Sequence, residues 1–510
     1  MASNHTPAAK SGRSSVSYGA RVSAMAHDQP DRTALTFVDA AGIEFPISWH
    51  ELDVRSNRIA RALVDRGVGP RGLVIIELPN SIEHIVSTLG VWKAGGCVLP
   101  LRWDLPDWER ERVIDVAAPT AVISRSRKPG RWLIANPSEL ESATISDAPV
   151  EDRTPDPARA IASSGSTGTP KIICANGSGT FDLSAIENGV INTLGQDNHA
   201  VQLVPAPLYH TNGSLLTFTS LLQGQSLVLM ERFSATLALD LIERHRVTTL
   251  TATTIMLQRM SRTPDIADRN LSSIESLLHG GAPLPQWLGR FWVDRIGPER
   301  FFVAYGSSEN AGVCFARGDE WLTHPGTVGR PVGTEIRIRD EAGHDLPAGE
   351  TGLVHLRRPD AEGPVFRYLG GQPSTDADGF TALGDLGWLD DDGYLYLADR
   401  RVDMIITGGA NVYPAEVEGA LTEHAGVADA VVVGLADDEW GERVHAVIEP
   451  MDAAAPPSVD ELRRFCRSRL AAYKVPKTVE IVDRLPRSDA GKIRRADMAR
   501  DRSPHDGSQR

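Results

Sequence analysis

Apolar positions in the first third of the chain alternate between two periods. The tetrad SWHE at 48–51 has the form of a capping box, and after it Leu52, Ile59, Leu63 and Val64 recur at helical spacing until Gly67. A short apolar run follows at 73–78. A second helical stretch then runs from Asn80 to the Gly95–Gly96 pair, and another apolar run occupies 97–101. This rhythm predicts an α/β fold with a largely parallel sheet. It returns in the middle of the chain, with strand patterns at 202–205 and 248–252 around a helical one at 237–244. Between these parts, residues 138–157 are rich in Pro, Asp, Ser and Thr and read as a surface connection. Glycine-rich text at 326–396, with turn signals such as DDGY at 391–394, predicts antiparallel hairpins.

The pattern near the C-terminus reads as a separate small α/β domain. A strand at 404–407 precedes Gly408 and Gly409, and Pro414 suits the first position of a helix whose Glu416 and Glu418 favour its dipole. Strands follow at 431–434 and 444–449. The loop DAAAPP then leads to a second capping box, Ser458 to Glu461. Two domains are expected, residues 1–400 and 401–510. The polar stretch from Met498 onward reads as disordered.

Composition changes this picture in three places. A chain of 510 residues exceeds the roughly 250–300 that one core serves, which supports more than one domain. A net charge of -14 gives no general attraction to nucleic acid or anionic membrane. Cys97, Cys174, Cys314 and Cys466 are far apart and form no CxxC pair, so neither a zinc site nor a disulfide framework is expected. The N-terminal text is polar and no apolar run approaches the roughly 18 residues that span a bilayer, so a cytoplasmic protein is expected.

Candidate chemistry begins with SSGSTGTPK at 163–171. Gly165 and Gly168 let backbone N–H groups turn toward an anion, Ser163, Ser164, Ser166 and Thr167 add hydroxyl donors, and Lys171 adds a positive charge. Pro170 and the lack of a following Ser or Thr exclude a Walker A loop. The apolar text on both sides places the loop between two strands. Read alone, it serves equally as a phosphate cradle or as a polar hairpin.

This loop resembles a signature of the adenylate-forming superfamily, which includes acyl-CoA synthetases, adenylation domains and luciferases. Six further family signatures follow in order: PLYHTNG at 207–213, HGGAPLP at 279–285, YGSSE at 305–309, GDLGWLDDDGYLYLADR at 384–400, GGANVYPAEVE at 408–418 and LPRSDAGKIRR at 485–495. The resemblance implies a large N-terminal domain of two βα-layered sheets plus a small antiparallel barrel, and a small mobile C-terminal α/β domain. It implies ATP, AMP, Mg²⁺ and coenzyme A as cofactors and a small carboxylic acid as substrate. A homodimer is left open.

The resemblance also implies residue roles. The 163–171 loop would hold the β- and γ-phosphates, and Glu309 would bind Mg²⁺, which one or two carboxylates plus phosphate oxygens suit. Asp385 and Arg400 would bind the ribose hydroxyls. Tyr305 would lie against the adenine, with Gly281 and Ala282 at its edge and Ser308 beside Glu309. Lys492 would contact the carboxylate and phosphate oxygens during adenylation, His210 would gate the acid pocket and thiol tunnel, and Gly408 and Gly409 would let the pantetheine arm pass. From 463 to 495 there are eleven Lys or Arg and three Asp or Glu, a local cationic surface or else an ordinary solvated one.

The chain departs from the family text at Val402, where Lys or Asp is usual at the hinge, and at Ile172, Ser308 and Leu383. The expected acid pocket, residues 208–213, 279–282 and 304–313, has no cation for a second carboxylate and no acidic partner for an α-amino group. A hydrophobic acid is expected. The text at 102–113 and 398–418 resembles ligases for bile-acid and steroid side chains. Three rivals stay open: an adenylation enzyme loading a carrier-protein thiol, an enzyme of the thiol step alone, and a non-catalytic nucleotide-binding protein.

Overall fold

The computed structural model describes residues 15–125, 134–163, 170–182, 199–361, 363–489 and 491–502. They fall into two compact units, one of residues up to 251 with 270–276 and 364–372, the other of residues 252–269, 277–363 and 373 onward.

In the first unit, the helix Trp49–Asp65 starts where its cap requires. The Ser48 side chain accepts from the Glu51 N–H at 3.2 Å, and Leu52, Ile59 and Leu63 are fully buried. Burying each such side chain stabilises the fold by roughly 1.5–3 kcal/mol. The neighbouring helix Ile82–Lys93 begins two residues beyond Asn80, because Ser81 is its cap. The two helices pack so closely that a Cβ on Gly90 would stand 2.5 Å from Ile59 Cγ2. Besides a two-stranded pairing of Ser15–Ser17 with Thr180–Asp182, the described residues of this unit form three larger sheets. The first is all parallel, with strands Cys97–Pro100, Leu73–Glu77, Ala121–Ser124 and Ile134–Ala135 side by side. The second pairs Thr249–Ala252, Val201–Val204, Ser226–Met230 and Thr33–Val38 in parallel, and Glu44–Ser48 joins it antiparallel. The third is antiparallel, with Lys171–Ala175 between Ala160–Ser163 and Phe366–Leu369. Residues 138–157 are irregular apart from the short helix Pro137–Leu140, capped by Asn136.

In the second unit, strand Ser276–Gly280 runs parallel to Phe301–Gly306. Antiparallel strands follow: Val313–Arg317, Thr327–Pro331, Leu395–Arg400, Thr381–Leu389, Gly352–Arg357 and Glu335–Arg339. The C-terminal lobe has its own sheet of Ile405–Thr407, Ala410–Val412, Gly441–Pro450, Val427–Asp437 and Thr478–Ile481. Helices Pro414–Thr422 and Val459–Arg467 cover one face, and Val417, Leu421, Val432, Ala446 and Leu462 form a core there. Ser458 caps the second helix as its text predicts, accepting from the Glu461 N–H at 3.2 Å. The tail corrects part of the sequence reading: residues 495–502 form the helix Arg495–Arg502, while residues 503–510 lie outside the described residues. Met498 packs among Val431, Val433 and Leu485, and Arg502 pairs with Glu480 at 2.5 Å, two anchors that the polar text around them hides.

All four cysteines are buried and unbridged. Among the described residues, no helix is long and apolar enough to cross a membrane.

Candidate active site

The first unit carries two of the motifs. Ser163 pairs with Lys171 across adjacent antiparallel strands, so the two ends of the hydroxyl-rich motif lie side by side, as the flanking apolar text predicts. Ser164, Gly165, Ser166, Thr167 and Gly168 lie outside the described residues. The Lys171 ammonium stands 5.4 Å from the Tyr368 ring centroid. His210 precedes the helix Thr211–Leu222, its ring 4.6 Å from that of Tyr209. The turn that presents it requires Gly213, since a Cβ there would lie 2.0 Å from the Pro207 carbonyl oxygen. Buried Asn80 clamps the same segment. Its amide nitrogen donates to the Ala206 and Met230 carbonyls at 3.0 Å each, and its oxygen accepts from the Leu208 N–H at 2.8 Å. Sequence reasoning took Asn80 only as a helix start, because its partners lie over a hundred positions away.

The second unit gathers most of the remaining candidates. Asp385 and Arg400 face each other across neighbouring strands, with Arg400 Nε 3.4 Å from Asp385 Oδ1. Buried Tyr305 donates its hydroxyl to Asp385 Oδ2 at 2.7 Å. Burial first, and then the Asp385 charge, push the Tyr305 pKa far above its ordinary value, so this proton stays in place. The link was not legible in the sequence, where the two residues are eighty positions apart. Gly281 adopts φ +85 in the exposed turn after strand Ser276–Gly280, with Ala282 next to it. Ser308 and half-buried Glu309 lie in a tight turn closed by Asn310 N–H to Ser307 O at 3.1 Å. Asn310 takes φ +54, a left-handed conformation that Asn tolerates better than most residues.

Lys492 reaches the same neighbourhood. Its pKa is lowered, mainly by desolvation and then by the Arg400 charge, while Glu309 opposes the shift. The loop carrying it is tight: Ser488 N–H donates to the Lys492 carbonyl at 2.8 Å and Gly491 N–H to the Ser488 carbonyl at 2.7 Å. Gly491 has φ +75, and a Cβ on it would stand 2.5 Å from Ile255 Cγ2. Elsewhere in the lobe, Gly408 and Gly409 form a turn at φ +57 and +80. Gly408 lies against the Trp440 ring, and the Lys477 ammonium stands 3.5 Å from that ring's centroid.

Part of the cationic text of 463–495 is paired with carboxylates. Arg469 bonds Glu423, Lys474 bonds Glu416, Arg487 bonds Asp429, and Arg495 bonds both Asp403 and Glu418. Arg464 and Arg467 are left on the exposed face of their helix. Among the described residues, no group of three or more His, Cys, Asp or Glu could cage a metal ion. A single half-buried carboxylate such as Glu309 fits a cation that keeps water and substrate phosphate oxygens as its other ligands, the habit of Mg²⁺.

His279, in the strand beneath the Gly281 turn, is held neutral. The Thr254 hydroxyl donates to the Pro283 carbonyl at 2.6 Å, so it accepts from His279 Nε2–H at 3.0 Å. Burial lowers the His279 pKa to about 4 from its ordinary 6.5. The unfolded chain binds this proton as pH falls below the ordinary value and the folded chain does not. Stability is therefore full at neutral pH and falls between about 6.5 and 4, by up to ~3 kcal/mol. Urea midpoints at pH 5 and pH 7.5 should differ less in His279→Asn than in the wild type. An equal difference in both would remove His279 from the acid response.

A lysine, an arginine and paired carboxylates on one unit suit an enzyme that brings anionic reactants together. The chain belongs to the AMP-binding enzyme family: the family model matches residues 22–363, and the model of the AMP-binding enzyme C-terminal domain matches residues 416–492. It is similar to feruloyl-CoA synthase of Amycolatopsis sp, 32% identical over 471 residues, which cover 89% of this chain and 94% of that protein. It is also similar to a fatty acid–[acyl-carrier-protein] ligase of Streptomyces coeruleorubidus, 30% identical, covering 89% of this chain and 91% of that one. Among solved structures, it resembles the o-succinylbenzoate CoA synthetase of Bacillus subtilis in complex with its acyl-adenylate intermediate. The TM-score is 0.79 and the identity 27%, with 95% of this chain and 98% of that chain covered.

Proposed function

We propose that this chain is an AMP-forming acyl-CoA ligase that activates a hydrophobic, ring-bearing carboxylic acid as its acyl-adenylate and then transfers the acyl group to coenzyme A. The observation that carries this reading is the gathering of Lys492, Glu309, Arg400, Asp385 and Tyr305 in one unit. In adenylation a carboxylate attacks the α-phosphorus and pyrophosphate leaves. Both reactants are anions, so fixed positive charge near the reacting oxygens lowers the barrier. Lys492 supplies that charge, its ammonium drawn out of water and set near the Arg400 and Glu309 charges. Asp385, oriented by Tyr305, accepts the ribose hydroxyls with Arg400 beside it. Gly281 and Ala282 border the adenine. Ser163 to Lys171 receive the β- and γ-phosphates, and Glu309 with Ser308 beside it would hold Mg²⁺, which would neutralise phosphate charge. His210 gates the acid pocket. After pyrophosphate leaves, the 401–510 lobe turns about residues 400–403 and presents Gly408 and Gly409 to the pantetheine arm.

A ring-bearing acid is favoured by the feruloyl and o-succinylbenzoyl relatives together with an expected pocket free of charge partners. The similar carrier-protein ligase keeps a second thiol acceptor in view. The test is a panel of cinnamic, benzoic, long-chain and sterol-derived acids with ATP, Mg²⁺ and either coenzyme A or phosphopantetheinylated carrier protein. AMP release and thioester mass are followed. Thioester on coenzyme A is expected. Thioester on carrier protein alone would replace the acceptor, and no AMP from any acid would end the reading.

The thiol step has its own expected variant. Gly408→Val places a branched side chain at positive φ and drives it into Trp440, since even a Cβ would lie 2.6 Å from Cε3. Thioester formation from a supplied adenylate should fall about tenfold or more, the cost of strain of roughly 1–3 kcal/mol, while pyrophosphate exchange is kept. Equal loss of both would detach Gly408 from the thiol path.

A further inference from the structure

Helix Thr254–Ser261 and the residue after its end make a set of contacts with the C-terminal lobe that the chemistry above does not use. Buried Gln258 donates its amide to the Ala428 carbonyl at 2.7 Å. Arg262 Nη1 donates to the same oxygen at 2.6 Å, and Nη2 donates to the Thr422 carbonyl at 2.7 Å. The Trp287 ring lies 5.3 Å from the guanidinium carbon. Both acceptors are available for structural reasons. Thr422 ends helix Pro414–Thr422, so its carbonyl is one of the last four without an intrahelical donor, and a cation there also meets the negative end of the helix dipole. Ala428 sits at the register shift between Val427 and Asp429, where the strand pairing skips a residue and leaves it out of the register.

The contact is coupled to the catalytic loop. Asp429, next to Ala428, holds Arg487 through a two-point bond of 2.5 and 2.9 Å. The third arm of the same guanidinium, Nη1, donates to the Gly491 carbonyl at 3.0 Å, one residue before Lys492. A rigid chain therefore runs from Arg262 and Gln258 through Ala428, Asp429 and Arg487 to the lysine. Ile255, on the same helix, abuts Gly491 directly.

We infer that Arg262 and Gln258 are positioning residues for the adenylation half-reaction: they hold the C-terminal lobe in the pose that seats the Gly491–Lys492 loop against Ile255, and release of their three hydrogen bonds frees the lobe for the thiol step. This rests on the ligase reading above. Neither residue touches a reactant. Their variants should therefore separate the half-reactions instead of depressing both.

The experiment compares wild type, Arg262→Ala and Gln258→Ala/Arg262→Ala by two readouts. The first is ATP–pyrophosphate exchange with an acid that the wild type activates, set against thioester formation from the matching supplied adenylate. Loss of charge-assisted bonds should lower exchange by roughly 10–100-fold. The supplied-adenylate reaction should hold or rise, which also shows the variant is folded. Arg262→Lys keeps the charge but cannot bridge both carbonyls and should recover only part of the exchange. The second readout needs no substrate: trypsin cleavage after Arg400 and Arg401, both exposed beside the hinge, should quicken when the lobe is released. Unchanged exchange with unchanged cleavage overturns the inference, as does equal loss of both half-reactions. A wild type inactive on every acid would instead defeat the ligase reading, and the cleavage rates would still decide the latch.

Discussion

Replacing Lys492 with alanine should reduce ATP–pyrophosphate exchange by roughly 10²–10³-fold or more and leave thioester formation from a supplied adenylate near its wild-type rate. A charge pair at ~4 Å is worth about 4 kcal/mol at an intermediate effective dielectric, which sets this scale. The asymmetry follows from which step needs the charge. On the proposed reading the lysine would oppose the repulsion of two anions as the anhydride forms, whereas transfer to the thiol begins after pyrophosphate has gone. The loop geometry supplies a second route to the same phenotype. Gly491→Ala keeps the ammonium but adds a Cβ that meets Ile255 Cγ2 at 2.5 Å in a backbone at φ +75. The loop must shift, and Lys492 with it. Exchange should fall in this variant too, while the supplied-adenylate reaction survives. If Lys492→Ala lost both reactions in equal measure, its charge would be serving binding or folding rather than the adenylating step.

Why the lysine could be singled out in the sequence while its supports could not is a matter of range. SDAGK, YGSSE and the Gly-Asp pair at 384–385 are short runs that match family signatures, so the resemblance names candidates there without coordinates. Caps are equally local: Ser48 and Ser458 bond three residues ahead, as their spacing says. The parallel strands of the first unit follow from apolar runs placed between helices. The groups that brace these segments lie far from them along the chain. Arg262 finds its carbonyls 160 and 166 positions away, and Asn80 holds a segment over a hundred positions downstream. No period or motif encodes such a partner. The same limit applies to the reading of charge. A stretch with eleven cations reads as a basic surface or as a solvated one, yet Asp403, Glu416, Glu418, Glu423 and Asp429, from earlier in the lobe, pair with Arg469, Lys474, Arg487 and Arg495. The tail helix was missed because one buried Met498 and one ion pair are too few to raise a signal in polar text.

Removing the Asp385 carboxylate should be nearly as costly as removing the lysine, but in a different way. Asp385→Ala should weaken ATP and AMP binding by about 10²-fold, the worth of two hydrogen bonds to a charged acceptor at roughly 1.5 kcal/mol each. Because the adenylate stays bound through both half-reactions, both should suffer, in contrast to Lys492→Ala. The variant also strands the Tyr305 hydroxyl, buried and 9% exposed, without its acceptor. Tyr305→Phe tests what the tyrosine itself does. It keeps the ring and deletes only the proton that fixes Asp385 Oδ2, so a positioning role predicts a milder loss, about tenfold at most, on the scale of one hydrogen bond. The double variant should bind nucleotide no worse than Asp385→Ala, because Tyr305 acts through a carboxylate that is already gone. Isothermal titration with AMP across the four proteins measures this cycle directly. Strictly additive losses would mean that the hydroxyl reaches the nucleotide on its own account, and that its bond to Asp385 is incidental.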